Sequence, residues 1–166
     1  NAEEHVKLAF RSLELLPTDI TMGKKVKCVV WDLDNTIWNG TLIEGNVTLN
    51  ERLKDLIVDL DQRGIVNSIA SKNDPEEAER KLKAFGIDDY FVFKKINWNP
   101  KSANIANTIK QMNISPDTVV FVDDNPFERN EVSLHIPDVT SIDPSEMEDF
   151  ARCDRFNAVV TDDSKK

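Results

Sequence analysis

The run from Val26 to Trp31 constrains this chain more than any other segment. It is apolar, rich in β-forming residues, shows little alternation, and ends on Asp32-Leu33-Asp34. A strand of that kind is buried on both faces, as the central strands of helix-covered parallel sheets are. Parallel neighbours need crossover connections, so the remaining chain has to alternate helix and strand. It does so in order. A helix over 50–63 carries Leu53, Leu56, Ile57 and Leu60 on one face, with Gly64 at its C-terminal cap. A second strand follows at 65–70. Asp74-Pro75-Glu76-Glu77 then opens a helix with an N-cap, a first-turn proline and an acidic residue three positions on. That helix carries Ala78, Leu82 and Phe85 and ends at Gly86. A short strand at 91–94 precedes a helix from Lys101 to about Met112. Thr118 to Val122 is another buried strand, and a further helix starts near Asn125-Pro126. Segments 139–142 and 158–160 have the character of edge strands, and Val6, Leu8, Ala9, Leu13 and Leu15 give residues 3–15 a helical period. The expected fold is α/β: a mostly parallel sheet flanked by helices.

A length of 166 residues suits one domain with one substantial core. The net charge of −9 argues against a nucleic-acid surface, which needs clustered Lys and Arg. Cys28 and Cys153 have neither zinc-type spacing nor a disulfide framework, which points to a reduced, cytoplasmic setting. No apolar run approaches the ~20 residues of a membrane span. Asn1-Ala2 reads as an excision point, so a domain taken from a larger protein is expected. Its division is a leading helix and linker over 1–24, a catalytic domain over 25–161 and a polar tail over 162–166.

Ligands of open α/β sheets bind beyond the carboxyl ends of the strands. Four polar groups fall there: Asp32 and Asp34 after the first strand, Ser71 with Lys72 and Asn73 after the second, Lys101 at a loop–helix junction, and Asp123-Asp124 after the strand at 118–122. Each alone is ordinary, as a turn serine, a surface lysine or a capping aspartate. Together, in this order, they resemble the motifs of the haloacid-dehalogenase (HAD) phosphotransferase superfamily: WDLDNT (31–36), IASKND (69–74), PKS (100–102) and VDDNP (122–126).

That resemblance implies a Rossmann-like HAD fold and Mg²⁺-dependent phosphoryl chemistry. Asp32 is then the nucleophile that forms an aspartyl phosphate, and Asp34 the general acid and base. Mg²⁺ takes Asp32, the Asp34 backbone carbonyl and Asp124, with Asp123 acting through water or orienting the site. Ser71 donates to the phosphoryl oxygens and Lys101 neutralises developing charge. The segment between Thr36 and Ser71 is too short for a large cap domain, so access is open.

Closer matches, DLDNTIWNG (32–40), INWNPKS (96–102) and FVDDNPFER (121–129), are similar to the FkbH-like domains of polyketide biosynthesis. Those proteins dephosphorylate 1,3-bisphosphoglycerate and pass a glyceryl unit through a thioester to an acyl carrier protein. The resemblance implies a phosphorylated three-carbon substrate whose second anionic end meets Lys72 and Asn73. It also suggests a short flap from Trp38, Asn39 and Gly40, and leaves ordinary packing as the other reading of Trp38 and Trp98. One position departs: Ala70 stands where that pattern has a cysteine, the expected acyl acceptor. Cys28, about 13 Å before Asp32 along a strand, reads as a buried core thiol. Arg129 reads as a helix-surface charge. An acidic carrier protein would need a basic patch, for which Lys94, Lys95 and Lys101 are candidates. The alternatives are a capless HAD phosphatase acting on phosphoprotein or small phosphate esters, and a non-catalytic carrier-binding domain.

Overall fold

A computed structural model describes residues 24–157. The helix expected over 3–15, the edge strand at 158–160 and the tail over 162–166 lie outside the described residues. Within them, five parallel strands run in the order β5-β4-β1-β6-β7, with β1 (Cys28–Trp31) central. Its neighbours are β4 (Val66–Ser71) and β6 (Val119–Val122), and the edges are β5 (Phe91–Ile96) and β7 (Thr140–Ile142). The lack of alternation in Cys28–Trp31 has the expected cause: all four residues are buried, because helices cover both faces of the sheet.

Two apolar clusters, one per face, make this a three-layer fold. Helices α1 (Glu51–Gln62), α2 (Pro75–Ala84) and α5 (Pro144–Phe150) put Leu53, Leu60, Leu82 and Met147 against Val29, Trp31 and Ile69. Helices α3 (Lys101–Met112) and α4 (Pro126–His135) put Ile105 and Val132 against Cys28, Val30 and Phe121 on the other face. Full burial of each such side chain is worth about 1.5–3 kcal/mol before chain entropy is counted. One polar insertion ties the first layer together. The buried Trp31 indole donates to Asn67 Oδ1 at 2.8 Å, and Asn67 Nδ2 donates to the Ile57 carbonyl at 3.2 Å.

Helix starts follow their caps. Asn50, Asp74 and Asn125 accept from the backbone amides of Leu53, Glu77 and Phe127, and Pro75 and Pro126 occupy first-turn positions. The sequence reading differs from the structure at three places. The strand expected at 91–94 continues to Ile96 through an irregularity, where Phe93 takes φ 55° and the register with β4 shifts. Helix α5 was not expected at all; Pro144 starts it and Met147 buries it. Between β1 and α1 the chain makes a two-stranded antiparallel ribbon, β2 (Trp38–Asn39) with β3 (Thr48–Leu49), in place of a cap domain. No helix among the described residues is long and apolar enough to cross a membrane.

Candidate active site

The order β4-β1-β6 fixes the site. Asp32 follows β1 and its amide donates to Val122 at 2.9 Å, so the ladder holds the strand through to its carboxylate. Ser71 ends β4 on one side and Asp123 follows β6 on the other. Lys101 opens α3, which returns from the edge strand β5. These residues meet in a shallow pocket of about 180 Å³, lined also by Asp34, Lys72, Asp124 and Glu128.

At its floor, Lys101 Nζ donates to Asp32 Oδ1 at 2.8 Å and to Asp123 Oδ2 at 2.7 Å. All three groups are almost wholly buried, with side chains 5%, 8% and 1% exposed. Burial raises the Asp32 carboxyl well above its usual range; Lys101 opposes that shift and Asp123 adds to it. Burial lowers the Lys101 ammonium, but the two carboxylates outweigh it and hold the lysine above its ordinary value. The Thr36 hydroxyl lies 3.1 Å from Asp32 Oδ2 and 3.3 Å from Asp124 Oδ1, bridging the ends of β1 and β6. Asp123 Oδ1 accepts from the Asn125 amide at 2.9 Å, so both of its oxygens are engaged within the protein.

Asp34 is held differently. Its Oδ1 accepts from the Trp38 indole at 2.8 Å and the Leu42 amide at 3.0 Å, while Oδ2 faces Asn73 Nδ2 at 3.3 Å. Asn73 also donates to Ser71 Oγ at 3.2 Å. The turn carrying Asp34 closes through Asn35: its Oδ1 and N–H pair with the backbone of Gly40, at φ 56° for Asn35 and φ 98° for Gly40. Asparagine tolerates the left-handed region and glycine pays no Cβ penalty there.

One oxygen each from Asp32, Asp123 and Asp124 lie within 4.8 Å of one another. Three hard carboxylates at that spacing, with open space in front of them, fit a hard divalent cation that keeps part of its water shell. They do not fit a soft metal, since neither cysteine lines the pocket.

Several sequence expectations need correcting. Trp38 is fully buried against Phe85, with ring centroids 6.0 Å apart, so it is no flap; its part is to hold Asp34. Asn39 is turned to Thr48 on the ribbon and does not line the pocket. Trp98 does not pack: it is 68% exposed. Ala70 is fully buried in the second cluster beside Val30 and Ile105, because the strand's alternation directs it away from the pocket that Ser71 lines. Lys72 lines the pocket but its ammonium sits 3.3 Å from Glu128 Oε2. The expected basic patch does not form: Lys94 pairs with Glu79 and Asp88, Lys95 donates to Gln111, and Lys101 is buried. Arg129 is more than a surface charge, since its guanidinium donates to the Asp123 carbonyl at 2.9 Å. Cys28 is the buried thiol expected, its pKa pushed up to about 12 by desolvation.

Sequence reasoning assigned no role to Thr36, Arg129, Glu131 or Glu128. Glu131 accepts from the backbone and hydroxyl of Ser102, fixing the start of α3 and with it Lys101. Thr36 had a faint signal, as the third polar member of the alternating Asp32-x-Asp34-x-Thr36 series.

Comparison with known proteins agrees with this geometry. The family model for haloacid dehalogenase-like hydrolases matches residues 36–130, more than half of the chain. The chain belongs to the haloacid dehalogenase-like hydrolases. Among solved structures it resembles the N-terminal part of BF1531 from Bacteroides fragilis, described as containing a phosphatase domain complexed with Mg. The identity is 33% and the TM-score 0.68, over 84% of this chain and 42% of that one. The chain thus spans less than half the length of that relative. Two lower-identity structures share the fold. One is the cobalt-bound deoxy-D-mannose-octulosonate 8-phosphate phosphatase YrbI from Haemophilus influenzae (18% identity, TM-score 0.56, 72% of this chain and 68% of that one). The other is a HAD family enzyme from Bacteroides thetaiotaomicron (13%, 0.59, 77% and 98%). No curated protein matches the chain.

Proposed function

We propose that residues 25–161 form a capless, Mg²⁺-dependent phosphatase domain that works through an aspartyl phosphate on Asp32. The observation that carries this reading is the convergence, in one open pocket, of Asp32 on Lys101, Asp34 beside it, Ser71, and the Asp123-Asp124 pair. Asp32 and Asp124, with the Asp34 backbone carbonyl, are the groups to hold Mg²⁺, which when bound neutralises phosphoryl charge. Lys101 and Thr36 fix the two Asp32 oxygens, so the nucleophile is oriented before substrate arrives. Asp32 forms a bond to phosphorus as the ester P–O bond breaks. Asp34 gives a proton to the departing oxygen, then takes one from the water that hydrolyses the acyl phosphate. Its Oδ1 already accepts two hydrogen bonds, which leaves Oδ2 as the proton-exchanging atom. Ser71, linked to Asp34 through Asn73, donates to the phosphoryl oxygens. Two unpaired cysteines agree with a reduced, cytoplasmic setting.

The test is hydrolysis of small phosphate esters with Mg²⁺ and with EDTA. Activity should require the metal and vanish in Asp32→Asn. With an activated aryl phosphate, whose leaving group needs no proton, Asp34→Asn should accumulate a phosphoryl adduct on Asp32 by mass spectrometry, and an active Asp32→Asn would refute the mechanism.

A second reading, dephosphorylation of 1,3-bisphosphoglycerate with glyceryl transfer to an acyl carrier protein, is favoured by the uncapped pocket and by two exposed aromatics, Trp98 and Phe127, close in sequence to the pocket residues Lys101 and Glu128. The transfer half lacks a thiol at the pocket, since Ala70 is an alanine and buried. Intact-protein mass spectrometry of the chain with that substrate, with and without a carrier, separates the two. A glyceryl mass on the chain that passes to the carrier supports transfer; phosphate release with no such mass leaves the phosphatase reading alone.

A further inference from the structure

We propose that Glu128 sets the substrate class of this pocket. It favours phosphomonoesters whose body is uncharged or bears an amine, and it turns away those with a second phosphate or a carboxylate. The inference deepens the phosphatase reading and rests on it.

Most of the cations at this pocket are already engaged within the protein. Lys101 is buried between Asp32 and Asp123. Arg129 is directed at the Asp123 carbonyl. Among the described residues Lys72 is then the pocket-lining cation left for a second anionic group, and Glu128 Oε2 sits 3.3 Å from it. Glu128 reaches that position because Asn125 and Pro126 start α4 directly after β6, which puts residue 128 in the helix's first turn, over the strand ends. The Glu128 side chain is 12% exposed against 35% for Lys72, so the pair's anionic member is the more deeply set.

Glu128 is also incompletely partnered. Its Oε1 is buried with no hydrogen-bond donor among the described residues. A buried carboxylate oxygen without a donor is costly, and the cost falls when a donor or a cation arrives and rises when an anion does. Beyond the phosphate subsite the pocket thus presents the carboxylate oxygens of Glu128 beside Lys72. A hydroxyl or ammonium on the substrate complements them; a carboxylate or second phosphate meets like charge. The chain's net charge of −9 adds a long-range field of the same sign. Discrimination of this kind comes from the repulsive element as much as from the attractive one.

The test measures kcat/KM of the Mg²⁺-loaded protein on O-phosphoethanolamine, sn-glycerol 3-phosphate and 3-phosphoglycerate. The wild type should prefer the amine to the carboxylate by about tenfold or more, as like-charge contact at a site predicts. Glu128→Gln keeps the shape and loses the charge. It should shrink the amine-to-carboxylate ratio by about tenfold, chiefly through KM for 3-phosphoglycerate. Glu128→Asp, which retracts the carboxylate, should fall between. Calorimetric binding of the same three ligands to Asp32→Asn reads the ranking without turnover. An unchanged ratio in Glu128→Gln, or a wild type that prefers 3-phosphoglycerate, overturns the role of Glu128 and leaves the phosphatase reading standing. Absence of hydrolysis of all three esters overturns the phosphatase reading, and the calorimetric ranking then decides the Glu128 proposal separately.

Discussion

Replacing Lys101 by methionine is the perturbation with the largest calculable effect. The ammonium donates to two buried carboxylates, and removing it leaves Asp32 and Asp123 facing each other with ligand oxygens within 4.8 Å. At an effective dielectric of about 20, two unit charges at that distance repel by about 3.5 kcal/mol. Breaking one partner out of a buried ion cluster costs about 3–5 kcal/mol in general, which agrees. Urea denaturation in EDTA should therefore show Lys101→Met less stable by about 3–5 kcal/mol near neutral pH. The pH dependence gives an independent check. Asp32 in the native protein is already raised by burial, and losing the lysine removes the main opposing influence. A group whose folded pKa is raised contributes stability at low pH that is lost as pH rises through the folded value. The variant should thus regain stability on acidification from neutrality, as Asp32 takes up a proton. Added Mg²⁺ should recover part of the loss at neutral pH, because a cation then separates the carboxylates. The double variant with Asp123→Asn should cost less than the sum of the singles. A Lys101→Met protein within about 1 kcal/mol of wild type in EDTA, with no gain on acidification, would refute this account of the site's floor.

Three further outcomes are expected. Trp38→Phe keeps the buried ring but removes the indole donor to Asp34; a hydrogen bond to a charged group is worth about 1.5–3 kcal/mol, so phosphatase kcat should fall about tenfold or more with KM little changed. Asn67→Ala strands the Trp31 indole N–H in the core and removes the side-chain donor to the Ile57 carbonyl, and urea denaturation should show a loss of about 1–3 kcal/mol. Burial lifts Cys28 from 9.0 to about 12, so its contribution is complete below the unfolded value. Stability then falls by about 1.4 kcal/mol per pH unit as pH rises towards the folded value. Cys28→Ala should flatten that alkaline slope in a pH series of denaturation curves; an unchanged slope would place its origin elsewhere.

Local signals were enough to read the fold class. The apolar run ending at Trp31, the caps at Asn50, Asp74 and Asn125, and the glycine after α1 act within a few residues of themselves, so their effects are written in order along the chain. The site was partly legible for a related reason. Asp32, Ser71 and Asp123 each stand at the carboxyl end of a strand, and in a parallel sheet all such ends lie on one side. What the sequence could not carry was the lateral order of strands and the direction of each side chain. The order β4-β1-β6 decides that Ser71 and Asp123 flank Asp32 and that Thr36 can reach Asp124 across 88 positions of sequence. Strand alternation buries Ala70 while its neighbour Ser71 lines the pocket. Helix phase brings Glu128 onto Lys72 and Arg129 onto the Asp123 carbonyl, turning two unremarkable first-turn residues of α4 into parts of the site. The sequence by itself determined which residue types stand at the strand ends; only the tertiary structure decided which charges are already spent on one another, because pairing depends on distances that chain separation does not encode.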